Sequence, residues 1–187
     1  MKKTKISFNA GPTSFRKNVQ QKGSDQADGK LIVALIDLLK NKDGMKRRKA
    51  RFALEKIGKA ATPYLMEALF DEIEACRWEA AKTLITIKDP KAAVALVEAL
   101  MDKSFEIQWL AAEALIALKM AAISPILQAL IKHSDSITMQ QGAHHVLHAF
   151  EREQLLDKPV VEVLDALRNL ETDIWVIPAA QKALKRR

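Results

Sequence analysis

The sequence predicts an all-α fold in which about five helical hairpins stack in line, and three observations carry that reading. The stretch Cys76-Arg77-Trp78-Glu79-Ala80-Ala81-Lys82-Thr83-Leu84 returns as Ile107-Gln108-Trp109-Leu110-Ala111-Ala112-Glu113-Ala114-Leu115, and looser copies end at Leu54, Leu147 and Leu184. A second short pattern precedes each copy: IDLL at 36–39, MEAL at 66–69, VEAL at 97–100, LQAL at 127–130 and LDAL at 164–167, at spacings of 30, 31, 30 and 37 residues. A period of this length is the mark of a repeat array whose units bury their apolar faces against one another. The composition agrees, because 187 residues hold only six Gly and six Pro among abundant Ala, Leu, Lys and Glu.

Taken in order, residues 1–28 are polar, with few and scattered apolar side chains, and are expected to form a flexible basic arm. Residues 31–187 form the repeats, near 31–61, 62–89, 90–120, 121–157 and 158–187. First helices are expected near 31–40, 63–70, 90–101, 122–132 and 159–169. Four of them open at a proline (Pro63, Pro90, Pro125 and Pro159), which the first helical turn tolerates. Thr62, Asp89 and Ser124 precede three of these prolines as capping residues. Second helices are expected near 45–57, 74–87, 105–118, 137–152 and 177–186, each after a short polar turn. Ala50, Ala80, Ala111, Ala143 and Ala180 share one position in them and permit close helix approach.

The net charge of +7 is unevenly placed. Residues 1–30 carry seven Lys/Arg and two Asp, residues 31–58 eight Lys/Arg and three acids, and residues 59–187 fifteen bases and eighteen acids. Mean hydropathy is −0.09. No apolar run of secretory-signal type follows the basic start, and the apolar stretch from Leu31 is broken at Asp37, far short of the ~20 residues of a membrane span. A single cysteine rules out an internal disulfide, so the expectation is a cytoplasmic protein without membrane association.

The second-helix pattern, an apolar residue, then Arg or Gln, then a small-residue pair and Leu, following a first helix that ends Ala-Leu, resembles HEAT repeats. The ~30-residue unit is similar to the phycobilisome-lyase HEAT-like subclass. The resemblance covers residues 31–187 and implies a right-handed α-α superhelix whose second helices line a concave face commonly used to bind proteins. It implies no one activity, since this scaffold serves many.

On a helical wheel, Cys76, Ala80, Thr83, Leu84 and Ile87 fall in one arc and Trp78 nearly opposite, as does Trp109 in the next repeat. Aligned by repeat, the outward row reads Arg48, Trp78, Trp109, Gln141, Pro178, and its neighbour Phe52, Lys82, Glu113, His145, Lys182. Aromatic area flanked by charge is what a partner-binding groove needs, so Arg48, Phe52, Trp78, Lys82, Trp109, Glu113, Gln141 and His145 are the candidate contacts. The run Lys46, Arg47, Lys49, Arg51 is a candidate for phosphate or nucleic-acid contact, against which stands the acidic balance of later repeats. His144, His148 and Glu151 share a flank of one helix at metal-ligand spacing, a weak candidate set beside the reading of a polar helix face; the His-Glu dipeptides of HEAT-like di-iron hydroxylases are absent. Cys76 sits at a buried position, and no catalytic constellation or phosphate loop stands out, so no cofactor is expected.

These observations favour a non-catalytic scaffold or adaptor that holds a partner protein or peptide on the second-helix face. The subclass resemblance implies an alternative, a bilin-lyase-like or tetrapyrrole-handling role. Nucleic-acid binding through the basic N-terminal region is a weaker alternative.

Overall fold

A computed structural model describes residues 24–168 and 172–187 of the chain. Among them are ten α-helices, paired into five hairpins: α1 (Ser24–Leu38) with α2 (Gly44–Ile57), α3 (Thr62–Ala68) with α4 (Glu74–Ile87), α5 (Ala93–Ala99) with α6 (Phe105–Leu118), α7 (Ile123–Lys132) with α8 (Ile137–Arg152), and α9 (Lys158–Arg168) with α10 (Thr172–Leu184). The repeated leucines Leu54, Leu84, Leu115 and Leu147 are buried, as are the five alanines Ala50, Ala80, Ala111, Ala143 and Ala180. One apolar cluster runs from Ile32 to Ala183, so each hairpin completes its core with its neighbours. The α-solenoid expected from the period is the fold observed.

The Arg or Gln that follows the first apolar residue of each motif has a definite task. Arg47 Nη1 donates to the carbonyls of Asn41 and Lys42 (2.9 and 3.2 Å), and Arg77 Nη1 to those of Asp71 and Glu72 (3.0 and 3.2 Å). Gln108 Nε2 donates to the Asp102 carbonyl and Gln140 Nε2 to the Ser134 carbonyl, both at 2.6 Å. Each side chain therefore reaches back from the second helix to satisfy carbonyls in the turn that precedes it. Arg77 also grips Asp102 of the next repeat with two bonds, Nε to Oδ2 at 2.7 Å and Nη2 to Oδ1 at 3.1 Å, both side chains being under 10% exposed. The turn itself is closed by Asn41, Asp71 and Asp102, whose side chains accept from the backbone two residues on.

Several helix starts differ from expectation. A 3₁₀ turn, Gly58–Ala61 or Lys119–Ala122, leads directly into α3 and α7, so Thr62 and Ser124 lie inside helices that have no side-chain cap; Asp89 does cap, accepting from the Lys91 amide. The first helix begins at Ser24, inside the stretch to 28 expected as an arm. Gly29 explains the fit, since a Cβ there would stand 3.2 Å from the Tyr64 hydroxyl. Residues 1–23, the remainder of that expected arm, lie outside the described residues.

The last hairpin departs most. α2, α4, α6 and α8 pack in sequence as one layer, and α1, α3, α5 and α7 form the other, with the 3₁₀ turn Pro90–Ala92 bridging α3 and α5. Continuing that pattern would set α10 beside α8. Instead α9 packs on α8, and α10 packs on α7 and α9. Arg168 of α9 accordingly binds Glu151 of α8 at 2.6 Å. The hairpin is turned over. The connection explains it: α8 ends in a Schellman closure, with Gln154 left-handed (φ 56°) and the Leu155 amide bonded to the Phe150 carbonyl at 2.9 Å, before a linker that other repeats lack. The fifth copy also has Ile177 where the others carry the turn-holding Arg or Gln.

The apolar run Phe105–Lys132 has the length and hydropathy of a membrane span and is half buried within the fold. A left-handed Lys119 (φ 56°) divides it into α6 and α7, fourteen and ten residues long, each short of the ~20 needed to cross a bilayer. Gly58, Lys88 and Lys119 occupy the same position at the ends of α2, α4 and α6, and all have positive φ. Only the first is the residue for which that conformation is free of strain.

Two substitutions test this account. Arg77→Met should lower unfolding free energy in urea by about 3 kcal/mol, because it leaves the Asp102 carboxylate buried without its cation. Lys119→Gly should raise it by about 1 kcal/mol through relief of the left-handed strain.

Candidate functional site

The second-helix layer presents a row of aromatic and charged side chains across α2, α4, α6 and α8. Phe52 is 42% exposed on α2, with the guanidinium carbons of Arg48 and Arg51 at 5.3 and 4.6 Å from its ring centre. On α4, Lys82 Nζ stands 5.8 Å from the Trp78 ring centre. Trp109 of α6 is 47% exposed and its ring lies 4.8 Å from that of His145 on α8, tilted by 48°. His145 Nε2 in turn lies 3.8 Å from a Glu113 carboxylate oxygen. Contacts of this kind between aromatic rings and cations hold the row in place without covering it.

The two indoles are not equivalent, which corrects the expectation that both face outward. Trp78 is half-buried and packs against the core cluster. Its ring lies along the seam between α2 and α4, where an ion-paired group draws the helices together. Glu79, itself buried, accepts from Arg51 Nε at 3.0 Å and lies 3.5 Å from Arg47 Nε, while Arg51 Nη1 also donates to Glu55 at 2.6 Å. This seam opens as a cleft of about 420 Å³ between Arg47, Arg48 and Arg51 on one wall and Trp78 and Glu79 on the other.

The remaining candidates divide. Of the basic run, Arg47 and Arg51 are committed to turn carbonyls and carboxylates, whereas Lys46 and Lys49 are exposed and have no ion pair among the described residues. Gln141 is exposed on α8 and is not drawn to Trp109. Pro178 and Lys182 do not extend the row, because α10 lies in the other layer; Pro178 is interior to a helix that starts at Thr172, and Lys182 pairs with Glu162 at 2.5 Å. The rings of His144 and His148 stack at 5.9 Å, but Glu151 turns away to Arg168, and no group of three or more metal-capable side chains comes together among the described residues. Burial lowers the pKa of His144 from its usual value, helped by the nearby Arg168 charge. Cys76 is fully buried, and that burial pushes its thiol up to about 12, so it behaves as a small hydrophobe.

Sequence reasoning missed Trp175, which is 58% exposed and borders an open cleft of about 340 Å³ with Glu162 and Lys182. It lies three residues before Pro178, one turn earlier on the same helical row. Placing the start of the helix at 177 left it in a loop.

Residues 32–116 match the family model for HEAT repeats. That stretch of the chain is built of HEAT-like helical repeats. The match makes no finer assignment to the phycobilisome-lyase subclass. HEAT repeats generally serve as protein-interaction scaffolds. Among solved structures, the chain is similar to two engineered proteins from the Northeast Structural Genomics Consortium. The first is 19% identical, with a TM-score of 0.42 over 94% of this chain and 83% of that one; the second is 22% identical, with a TM-score of 0.38 over 94% and 85%. No curated protein matches the sequence.

The different settings of the two indoles give a test. Trp78→Ala should destabilise the fold by about 2 to 3 kcal/mol, a partial version of the loss for a buried aromatic. Trp109→Ala should change it by no more than about 1 kcal/mol, the scale of its pairing with His145. Chemical denaturation followed by circular dichroism separates the two.

Proposed function

We propose that this HEAT-like array is a non-catalytic scaffold that holds a partner protein or peptide on its second-helix face. The observation that carries the reading is the exposure of Trp109 on α6 and of Phe52 on α2, on a face where cations and one acid accompany aromatic area. Large aromatic side chains are the commonest anchors of protein interfaces, and a polar rim around them sets specificity. The same side chains have no packing task that would demand an indole at 109, since Leu115, Ala111 and Ile107 build the core of that helix. Arg48 and Lys82 supply positive charge at one end of the row, and Glu113 with His145 supplies a mixed pair at the other. The cytoplasm, where a single buried thiol is unremarkable, is the proposed setting.

Peptides selected by display on the wild-type protein should lose at least about tenfold in affinity on the Phe52→Ala/Trp109→Ala double variant. Its unfolding midpoint should stay near that of wild type. Selected peptides that bind the double variant equally well would place recognition on another face.

A further inference from the structure

We infer that the cleft between α2 and α4 is a subsite for an acidic peptide segment carrying one bulky apolar side chain. The inference rests on the second-helix face being a partner-binding surface and names the chemistry of the partner at one part of it.

The argument begins with charges left over after the internal pairs are made. Arg47 and Arg51 are held by Glu79, Glu55 and the turn carbonyls, so they form a fixed wall instead of mobile cations. Arg48 borders the same cleft, is exposed, and among the described residues has no carboxylate within ion-pair distance; its guanidinium rests over Phe52. Lys82, one turn beyond Trp78 on α4, likewise has no acidic partner among the described residues and lies over the indole. Arg48 thus lines a cleft of about 420 Å³ together with Trp78, and Lys82, which is not part of that lining, stands 5.8 Å from the same indole. An apolar side chain fits against Trp78 in that cleft, and carboxylates on either side of it meet Arg48 and Lys82. Such complementarity selects the sign of the partner and speeds its encounter more than it adds raw affinity.

Other occupants suit the site less well. Residues 1–23 of this chain carry six Lys or Arg and no acid, so they repel the cleft. A nucleic-acid strand needs a continuous cationic track, whereas two of the six basic side chains on α2 are already neutralised here and the next repeat presents Glu113.

The experiment uses a variant whose only indole is Trp78, made by Trp109→Phe and Trp175→Phe. Three fluorescein-labelled probes are compared: a short peptide of Asp and Glu around a central Leu-Phe pair, its Asn/Gln counterpart, and an oligothymidylate of the same length. The acidic peptide should bind and alter Trp78 emission. The Asn/Gln peptide should bind at least about tenfold more weakly, and Arg48→Glu and Lys82→Glu should each reduce affinity for the acidic peptide by a similar factor. Arg48→Gln, which only removes charge, should have a smaller effect in the same direction and guards against misfolding of the reversed variant. Equal binding of the neutral peptide, indifference to Arg48→Glu, or preference for the oligonucleotide would overturn the proposal. So would self-association in sedimentation that Arg48→Glu abolishes, since that would make a second copy the occupant. If the acidic peptide fails while display-selected ligands still depend on Phe52 and Trp109, the assigned chemistry falls and the scaffold reading stands.

Discussion

Each of the first four hairpins depends on a side chain that reaches backwards. A turn between antiparallel helices leaves carbonyls with no helical partner, and a solenoid repeats that deficit at every unit. Arg47, Arg77, Gln108 and Gln140 meet it from one position near the start of each second helix. Because the donor belongs to the second helix and the acceptors to the turn before it, the bond fixes how the two helices of a hairpin meet. Arginine extends this further than glutamine. Arg77 holds its own turn with one nitrogen and the next repeat's Asp102 with the other two, so a single guanidinium sets both the hairpin and the joint between hairpins. Five donors in a rigid plane make that double use available.

The same logic explains the polarity of the exposed face. In the first joint the corresponding role is shared: Lys40 meets Asp71, while Arg47 and Arg51 converge on Glu79. Burial of the Asp71 carboxyl pushes its pKa up, but hydrogen bonds from Lys40 and the Ile73 amide outweigh this and leave it below the usual carboxylate range. These contacts use up most of the acids near α2. Arg48 and Lys82 are among the cations left over, and the helix period places Lys82 one turn from Trp78. The free charge on this face is thus what the structural pairing beneath it leaves over.

Much of this was legible from the repeat alone. The positions of Leu54, Leu84, Leu115 and Leu147, the alanine column and the buried Cys76 follow from a period of about 30 residues and a helical wheel. The exposure of Trp109 followed as well. Trp78 did not, because the wheel describes one helix, and the close approach of α2 that half-buries this ring depends on Glu79 and two arginines from another repeat. The start of α1 at Ser24 was hidden by the polar make-up of residues 1–28, which reads as an arm. The inversion of the last hairpin left only indirect traces in the sequence: a longer spacing and an isoleucine at the turn-holding position. Neither says which layer a helix will join.

That inversion bears on how far such an array can extend. A stack of like units offers at its growing edge the same surface that it uses at every internal joint, so nothing in the unit itself sets a length. Exchanging α9 and α10 between the layers ends this translational sameness, since the edge beyond α8 is a helix of the other kind. Five residues of linker, with a left-handed Gln154 among them, accomplish the change. The number of motifs records how many units were laid down, but the geometry of one connection changes the edge that the last of them presents.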